Sequence, residues 1–309
     1  MEKKTNHQTN ITPLISVIIN CYNGEKFLRD AIDSVLKQTY KNWELILWDN
    51  KSEDKSAKIM ESYKDDRIKY FYSNDHKELY NARNQAFTKS KGDYICFLDT
   101  DDYYLDGFLE HQLKLFTDKS IGFACSNHFY KDEKKNKFWT RFKKKQSEGY
   151  VLDDLLLNYT VNLSTLFIKR SILSKNELPF DGNLTYLGDF DLVIKLATKF
   201  KMARSHEPLI VYRLHDQNLS IKNNETQLNE LEYWYTKIQR IEKIKNNKNF
   251  YNIKNLINYK KIIVELDKKK IIQAFSILIK LPWSIRKFRY IVIIISVFIF
   301  RIKLKNFRL

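Results

Sequence analysis

The sequence predicts an α/β fold with a doubly wound, mostly parallel sheet, on two observations. Short, nearly continuous apolar runs alternate with helix-periodic segments along residues 14–98, and the runs end in polar turns. Apolarity that is continuous rather than alternating marks strands covered on both faces. Residues 14–20 form the first such strand, which ends in Asn20-Cys21-Tyr22-Asn23-Gly24, a turn signal. A helix follows on Phe27, Leu28, Ile32, Val35 and Leu36, whose spacing of three and four gathers them on one face, and it closes near Gln38. Residues 43–48 are a second buried strand that delivers Asp49, Asn50, Lys51 and Ser52 at its carboxyl end. Residues 56–63 read as a helix, 68–72 as a strand, 80–90 as a helix and 94–98 as the fourth strand. Open sheets of this kind bind ligands beyond the carboxyl ends of their strands. Tyr22, Asp49, Asn50, Asp99, Asp101 and Asp102 all fall at that edge and are expected to share one crevice. Neither Gly-x-Gly-x-x-Gly nor a Gly-Lys-Ser phosphate loop occurs, which argues against ordinary dinucleotide or P-loop binding.

The fourth strand carries the strongest chemical signal. It ends in Asp99-Thr100-Asp101-Asp102, three carboxylates at what reads as an exposed strand end. Strand residues alternate faces, so Asp99 and Asp101 project the same way, and like charges this close repel unless a cation sits among them. Oxygen ligands suit Mg²⁺ or Mn²⁺, ions that keep several waters and share their remaining positions with substrate phosphates. The structural alternative is an acidic turn capping a helix that starts near Tyr104.

Size and composition set outer limits. With 309 residues and 43% hydrophobic content, the chain can bury a full core, either as one large α/β domain with an appendage or as two small domains. Cys21, Cys96 and Cys125 are odd in number, widely spaced and without a Cys-x-x-Cys pair; no disulfide framework or structural zinc site is expected, and a reducing cytosol fits. Residues 1–12 are polar, lack the apolar core of a secretory signal and are expected to be a frayed leader. A net charge of +17 attracts polyanions of any kind: nucleic acid, anionic lipid or phosphorylated substrate. Much of the excess lies in residues 131–145, which read as a solvated hairpin or loop. The rest is concentrated in a C-terminal stretch with Arg286, Lys287, Arg289, Arg301, Lys303, Lys305 and Arg308.

Four ordered motifs now resemble a known family. They are Val17-Ile18-Ile19-Asn20-Cys21-Tyr22-Asn23-Gly24 with Ser34-Val35-Leu36-Lys37-Gln38-Thr39-Tyr40 behind it, Trp43-Glu44-Leu45-Ile46-Leu47-Trp48-Asp49-Asn50-Lys51-Ser52, Ala82-Arg83-Asn84, and Phe97-Leu98-Asp99-Thr100-Asp101-Asp102. In order and spacing they resemble the family 2 glycosyltransferases, closely over residues 13–118, more weakly to about 220 and not beyond. The resemblance implies the GT-A fold with a Rossmann-like nucleotide-binding half, a nucleotide-sugar donor, a divalent cation (Mn or Mg), and transfer with inversion at the sugar carbon. Residue by residue it implies that Tyr22 stacks on the base, that Asp99 is the first carboxylate of its motif, and that Asp101 and Asp102 handle ribose and metal. It also puts Arg83 near the nucleotide phosphates, where a fixed fork of donors suits phosphate oxygens. A helix-surface salt bridge is the alternative for Arg83. Asn50, next to Asp49, stands where the family usually has a second aspartate that reads the imide N–H of uracil. Its amide oxygen can still accept that bond, and the amide can also reorient for another base. UDP and dTDP are therefore both expected, and a purine stays open.

Residues 119–222 are expected to build the acceptor side. Residues 122–130 read as a strand, 150–159 as the start of a helix and 164–170 as a further strand. Leu187-Gly188-Asp189-Phe190-Asp191-Leu192 then opens a helix through Leu196 and Phe200. The family usually has Glu-Asp there, and its aspartate is the general base; this implies Asp189 as the catalytic residue, with Gly188 in place of the glutamate. A capping role is the structural alternative, and Asp191 is read as facing structure or acceptor. Tyr212-Arg213-Leu214-His215-Asp216-Gln217-Asn218-Leu219-Ser220 resembles the family's closing motif, whose Arg and His approach diphosphate or metal. His215 thereby joins Asp101 and Asp102 as a candidate metal ligand.

Residues 223–309 read as a helical C-terminal region. Residues 225–245 and 255–270 are charged and helix-periodic, whereas 271–281 and 290–300 are apolar and flanked by cations. A bilayer span needs roughly 20 residues, more than either run supplies, so an interfacial anchor on an anionic membrane is expected. A helical pair packed on the catalytic domain is the alternative.

The expected organisation is thus a leader (1–12), a nucleotide-sugar-binding half (13–118), an acceptor-binding half (119–222) and a helical appendage (223–309). The expected protein is an inverting, metal-dependent glycosyltransferase for a saccharide or lipid-linked saccharide acceptor in bacterial cell-surface polysaccharide synthesis. It would be cytoplasmic and peripheral to the inner face of the membrane. A nucleotidyltransferase could use the same carboxylates, but its glycine-rich, basic phosphate loop is missing. A basic nucleic-acid-binding protein would need aromatics interleaved with cations, and residues 131–145 offer only Phe138, Trp139 and Phe142; no nucleic-acid partner is expected.

Overall fold

The computed structural model describes residues 12–174, 177–219 and 223–300; residues 1–11 of the expected leader, Ser220 and the cations from Arg301 onward lie outside them. Nine strands among the described residues form one sheet: β1 (Ile15–Cys21), β2 (Trp43–Asp49), β3 (Ile68–Tyr72), β4 (Tyr94–Asp99), β5 (Tyr103–Tyr104), β6 (Ile121–Asp132), β7 (Lys137–Thr140), β8 (Phe167–Lys169) and β9 (Lys201–Leu214). The helices are α1 (Leu28–Leu36), α2 (Ser56–Glu61), α3 (Leu79–Lys89), α4 (Phe108–Lys114), α5 (Leu152–Leu157), α6 (Gly188–Ala197), α7 (Asn224–Ile238), α8 (Glu242–Lys245), α9 (Tyr251–Asp267), α10 (Ile271–Ile279) and α11 (Ile285–Phe300). The described residues of Met1–Gly149, Val161–Gly182 and Phe200–Leu214 make one compact unit, which holds the sheet and α1–α4; those of Tyr150–Thr160, Asn183–Lys199 and His215–Leu309 make a second, holding α5–α11.

The strand order is β3-β2-β1-β4-β8-β6-β9-β5, with β7 on β6. β1 lies parallel between β2 and β4, and β3 extends the parallel set. The central strands are apolar on both faces because both are covered. Ile15, Val17 and Ile19 pack with Leu28, Ile32 and Val35 of α1 in a fully buried core. β8 then runs antiparallel between β4 and β6, so the sheet is mixed beyond β4. This order brings the turn after β1, the end of β2 and the end of β4 to one edge.

Two elements depart from the sequence reading. The helix expected near Tyr104 begins only at Phe108, after Gly107 in the left-handed region at φ 83°; before it, Tyr103 and Tyr104 pair antiparallel with Val211 and Ile210 of β9. β9 itself, 14 residues long, has no counterpart in the sequence reading. Its Arg204, Ser205, His206, Glu207 and Pro208 break the apolar pattern, and the register with β6 shifts where Ser126 gives way to Asn127. The basic run 131–145 forms the β6–β7 hairpin, in which Asp132 pairs with Lys137 and Asn136 takes a positive φ of 47°.

In the second unit, Ala274, Leu278 and Leu281 and, from α11, Ile293 and Ile294 pack against Tyr259, Ile262 and Leu266 of α9. Lys287 is buried in this cluster and its ammonium donates to the carbonyls of Ile279 (3.0 Å) and Leu281 (2.5 Å), groups that the end of a helix leaves without partners. No helix of the described residues is long and apolar enough to cross a membrane.

Candidate active site

The end of β4 gathers Asp99, Asp101 and Asp102, which bring one carboxylate oxygen each within 4.8 Å of one another. Asp102 is fully buried, a correction to the exposed strand end expected from sequence. Its Oδ2 accepts the Ser164 hydroxyl (2.9 Å) and its Oδ1 accepts the Arg213 backbone N–H (3.1 Å). Ser164 in turn accepts the Asp99 N–H at 3.3 Å, and its own position is fixed by the Asn162 side chain, which caps the 3₁₀ turn Leu163–Thr165. Burial, then the charges of Asp101 and Asp99, push Asp102 well above the ordinary carboxylate value. Burial also raises Asp99, against the pull of Arg83 and with the push of Asp101. Such a cluster is electrostatically costly as three anions and is relieved by a cation. Three clustered oxygen donors therefore fit a hard divalent ion.

Two buried arginines hold the cluster. Arg83 of α3 ion-pairs with Asp99 and lies over the Tyr80 ring at 4.9 Å. Its guanidinium is thus anchored on one of the site's own carboxylates. Arg213 of β9 reaches Asp30, Glu133 (3.0 Å) and the Asp101 carbonyl (2.9 Å), with Phe27 and Tyr103 rings at 5.0 and 4.5 Å. The side chains flanking Arg83 are structural: Asn84 pairs with both the N–H and C=O of Phe180, and Asn81 donates to the Gly182 carbonyl.

Across the same edge, Tyr22 is 49% exposed and its ring stands 4.2 Å from that of His76, tilted by 52°. Asp49 and Asn50 are buried behind them. Asp49 accepts the Ser52 N–H (2.7 Å) and the Tyr70 hydroxyl (3.2 Å). Asn50 pairs with Lys77 in both directions, its Nδ2 donating to the carbonyl (2.8 Å) and its Oδ1 accepting the N–H (3.1 Å). The asparagine amide therefore holds the His76 loop in place, and His76, beside Tyr22, is a neighbour of the site that sequence reasoning missed. A single histidine in a polar loop carries no pattern. Its only signal was position, one loop after the third strand.

Asp189 and His215 belong to the second unit. Asp189 is the second residue of α6 and is partly exposed, with the Tyr159 hydroxyl 3.5 Å from its Oδ2. Asp191 is buried and accepts Trp234 Nε1 (3.1 Å) and Lys195 Nζ (2.6 Å), a structural role. His215 is held locally: its Nδ1 accepts the Gln217 N–H at 3.3 Å, and Asn218 flanks its Nε2 at 3.4 Å.

An α/β sheet with a carboxylate cluster at the carboxyl ends of its parallel strands fits the GT-A class of glycosyltransferases. The chain belongs to the family 2 glycosyltransferases: residues 16–175 match the family model described as Glycosyl transferase family 2. It is 34% identical to an uncharacterized glycosyltransferase of Rickettsia typhi over 73% of this chain and 70% of that one. It is also 34% identical to the UDP-Glc:alpha-D-GlcNAc-diphosphoundecaprenol beta-1,3-glucosyltransferase WfgD of Escherichia coli, over 54% of this chain and 64% of the relative. Among solved structures, the mannosyltransferase PcManGT of Pyrobaculum calidifontis, in complex with GDP-Man and Mn²⁺, shares the fold at a TM-score of 0.62 and 13% identity, covering 92% of this chain and 80% of that one. The protein is a glycosyltransferase.

Proposed function

We propose that the protein is an inverting, metal-dependent transferase that moves a sugar from a UDP- or dTDP-type donor to a hydroxyl of a saccharide or lipid-linked saccharide during cell-surface polysaccharide synthesis. The observation that carries the reading is the Asp99, Asp101 and Asp102 cluster at the sheet edge that also presents Tyr22, in a family 2 chain. Residues 13–118 serve the donor, 119–222 the acceptor, and 223–309 form the helical appendage. Asp101 and Asp102, with Asp99 beside them and His215 as a further candidate, hold the divalent ion. When bound, that ion neutralises the charge of the departing nucleoside diphosphate. Tyr22 stacks on the base with His76 next to it, Asp49 and Asn50 shape the base pocket, and Arg83 fixes Asp99 near the phosphates. Asp189 takes the proton of the acceptor hydroxyl as that oxygen bonds to the anomeric carbon. The carbon–oxygen bond to the diphosphate breaks on the opposite face, its electron pair leaving with the nucleotide, in one displacement. The name of WfgD supports a UDP-sugar and a diphosphoundecaprenol-linked acceptor.

Thermal shift with UDP-, dTDP- and GDP-sugars, each with and without Mn²⁺, tests the donor reading. A ligand at a hundred times its Kd stabilises by about 2.7 kcal/mol, and a rise confined to the pyrimidine sugars with Mn²⁺ is expected. No rise with any of them removes the reading.

The appendage supports placement at the inner membrane face. Ile272, Phe275, Ile279, Trp283 and Phe288 are 50–83% exposed, and Lys280, Arg286 and Arg289 are exposed in the same helical pair. Exposed apolar side chains beside exposed cations suit the boundary of an anionic bilayer. Replacing Phe275, Trp283 and Phe288 together with Ser is expected to release the protein from phosphatidylglycerol vesicles. Each full burial is worth about 1.5–3 kcal/mol, whereas side chains that are open in the free protein contribute little to its melting temperature. Undiminished co-sedimentation of the triple variant would refute the anchor.

A further inference from the structure

We infer that Glu230 and Trp234 of α7 clamp the turn that opens α6 and so position Asp189; the inference rests on reading Asp189 as the base. A helix start leaves its first backbone N–H groups without intrahelical partners, and the residues leading into it have none by default. Here three consecutive N–H groups converge on one buried carboxylate. Thr185 donates to Glu230 Oε1 at 2.7 Å, and Tyr186 and Leu187 donate to Oε2 at 2.8 and 3.2 Å. Hydrogen bonds to an ionised acceptor are about twice as strong as neutral ones, and three together fix the backbone rather than one atom of it. Gly188, which follows, has no side chain with which to brace the turn itself.

The same face of α7 holds the other side of Asp189. Trp234 lies four residues on from Glu230, one helical turn away. Its indole N–H donates to Asp191 Oδ1 at 3.1 Å, and its ring packs on Phe190 with centroids 4.7 Å apart. The residues before and after Asp189 are thus held by one turn of α7, while Asp189 between them stays partly exposed. A carboxylate that must meet an acceptor hydroxyl gains from this, because a misplacement near 1 Å can cost about a hundredfold in rate. Glu230 and Trp234 are positioning residues: their effect passes through Asp189.

The test compares Glu230→Gln, Trp234→Phe, Asp189→Asn and the Glu230→Gln/Asp189→Asn double variant by kcat and acceptor KM at saturating donor, donor Kd and melting temperature. Gln keeps the size of Glu230 but turns an NH₂ group toward N–H donors, and Phe keeps an aromatic ring while removing the indole N–H. Glu230→Gln is expected to lower kcat roughly ten- to a hundredfold with donor Kd unchanged. In the Asp189→Asn background the same substitution should change the residual rate by no more than about twofold, since there is then no base to position. A Glu230→Gln enzyme at parental kcat, or an equal loss in both backgrounds, overturns the clamp. If Glu230→Gln does not fold, Trp234→Phe decides: a several-fold kcat loss at constant donor Kd supports the clamp, and parental kcat overturns it. A near-parental Asp189→Asn beside a slow Glu230→Gln removes the base reading instead and leaves the clamp acting on the turn.

Discussion

Asp102→Asn is expected to abolish the Mn²⁺ dependence of donor binding, weakening metal-supported affinity by more than about 100-fold. Outer-shell substitutions at metal sites already cost 10–100-fold, and Asp102 is assigned to the ion itself. Asn is a better probe than Ala because the site is buried and both Asp102 oxygens accept hydrogen bonds, from Ser164 and Arg213. Ala would strand two donors at about 1–3 kcal/mol each, whereas an amide can still accept from the Arg213 N–H and donate to the Ser164 oxygen. The same variant has a pH signature in the metal-free protein. Burial and the neighbouring carboxylates raise Asp102 above its unfolded value, near 3.9, so between that value and the raised one the folded chain binds more protons than the unfolded. Stability from this residue is therefore full in acid and is lost as pH rises. The parent without metal should lose more melting temperature between about pH 5 and about pH 7.5 than Asp102→Asn does. Unchanged Mn²⁺ dependence would move the metal away from Asp102, and identical pH slopes would mean that burial does not hold its carboxyl up.

The parts of this site that sequence makes legible are those in which local pattern and chemistry coincide. Asp99, Asp101 and Asp102 follow an apolar strand directly, and the end of a parallel strand is where this fold binds ligands, so period and position together point to them. Tyr22 was legible for the same reason. What stayed hidden was pairing over long chain distances. The closing motif points Arg213 toward the diphosphate or metal, but not to the carbonyl of Asp101 and the carboxylate of Asp102, which it meets from β9, an irregular strand that the pattern does not announce. Asn50 reads from the sequence as a base contact, yet its amide is complementary to the backbone of Lys77, a match visible only once the β3–α3 loop is folded back. For Arg83 the sequence offers a place near the phosphates but not its ion pair with Asp99. Glu230 sits in a charged helical segment where a buried glutamate looks like any solvated one.

Asp189→Asn is expected to fold as the parent does, to bind nucleotide-sugar and metal with parental affinity, and to transfer sugar at least roughly a hundredfold more slowly. The residue lies in the first turn of α6, where a carboxylate also favours the positive end of the helix dipole, so base and helix-start roles compete for the same side chain. Asn separates them. It keeps the size and hydrogen-bonding reach of the side chain but cannot take a proton. Loss of a charge at a helix start costs about 0.3–1 kcal/mol of stability, whereas loss of a general base typically costs 10²–10⁴-fold in rate. The two outcomes differ in kind as well as size, since one moves the melting temperature and the other moves kcat. The surroundings favour a proton-accepting role. Asp189 is partly exposed beside the Tyr159 hydroxyl, while Asp191, two residues on, is buried and already bound by Trp234 and Lys195. A transfer assay beside a nucleotide titration on the same preparation checks the expectation. Parental turnover would eliminate Asp189 as the base; and because Asp191 has no open oxygen for an acceptor hydroxyl as it stands, the search would then pass to carboxylates elsewhere rather than to its neighbour.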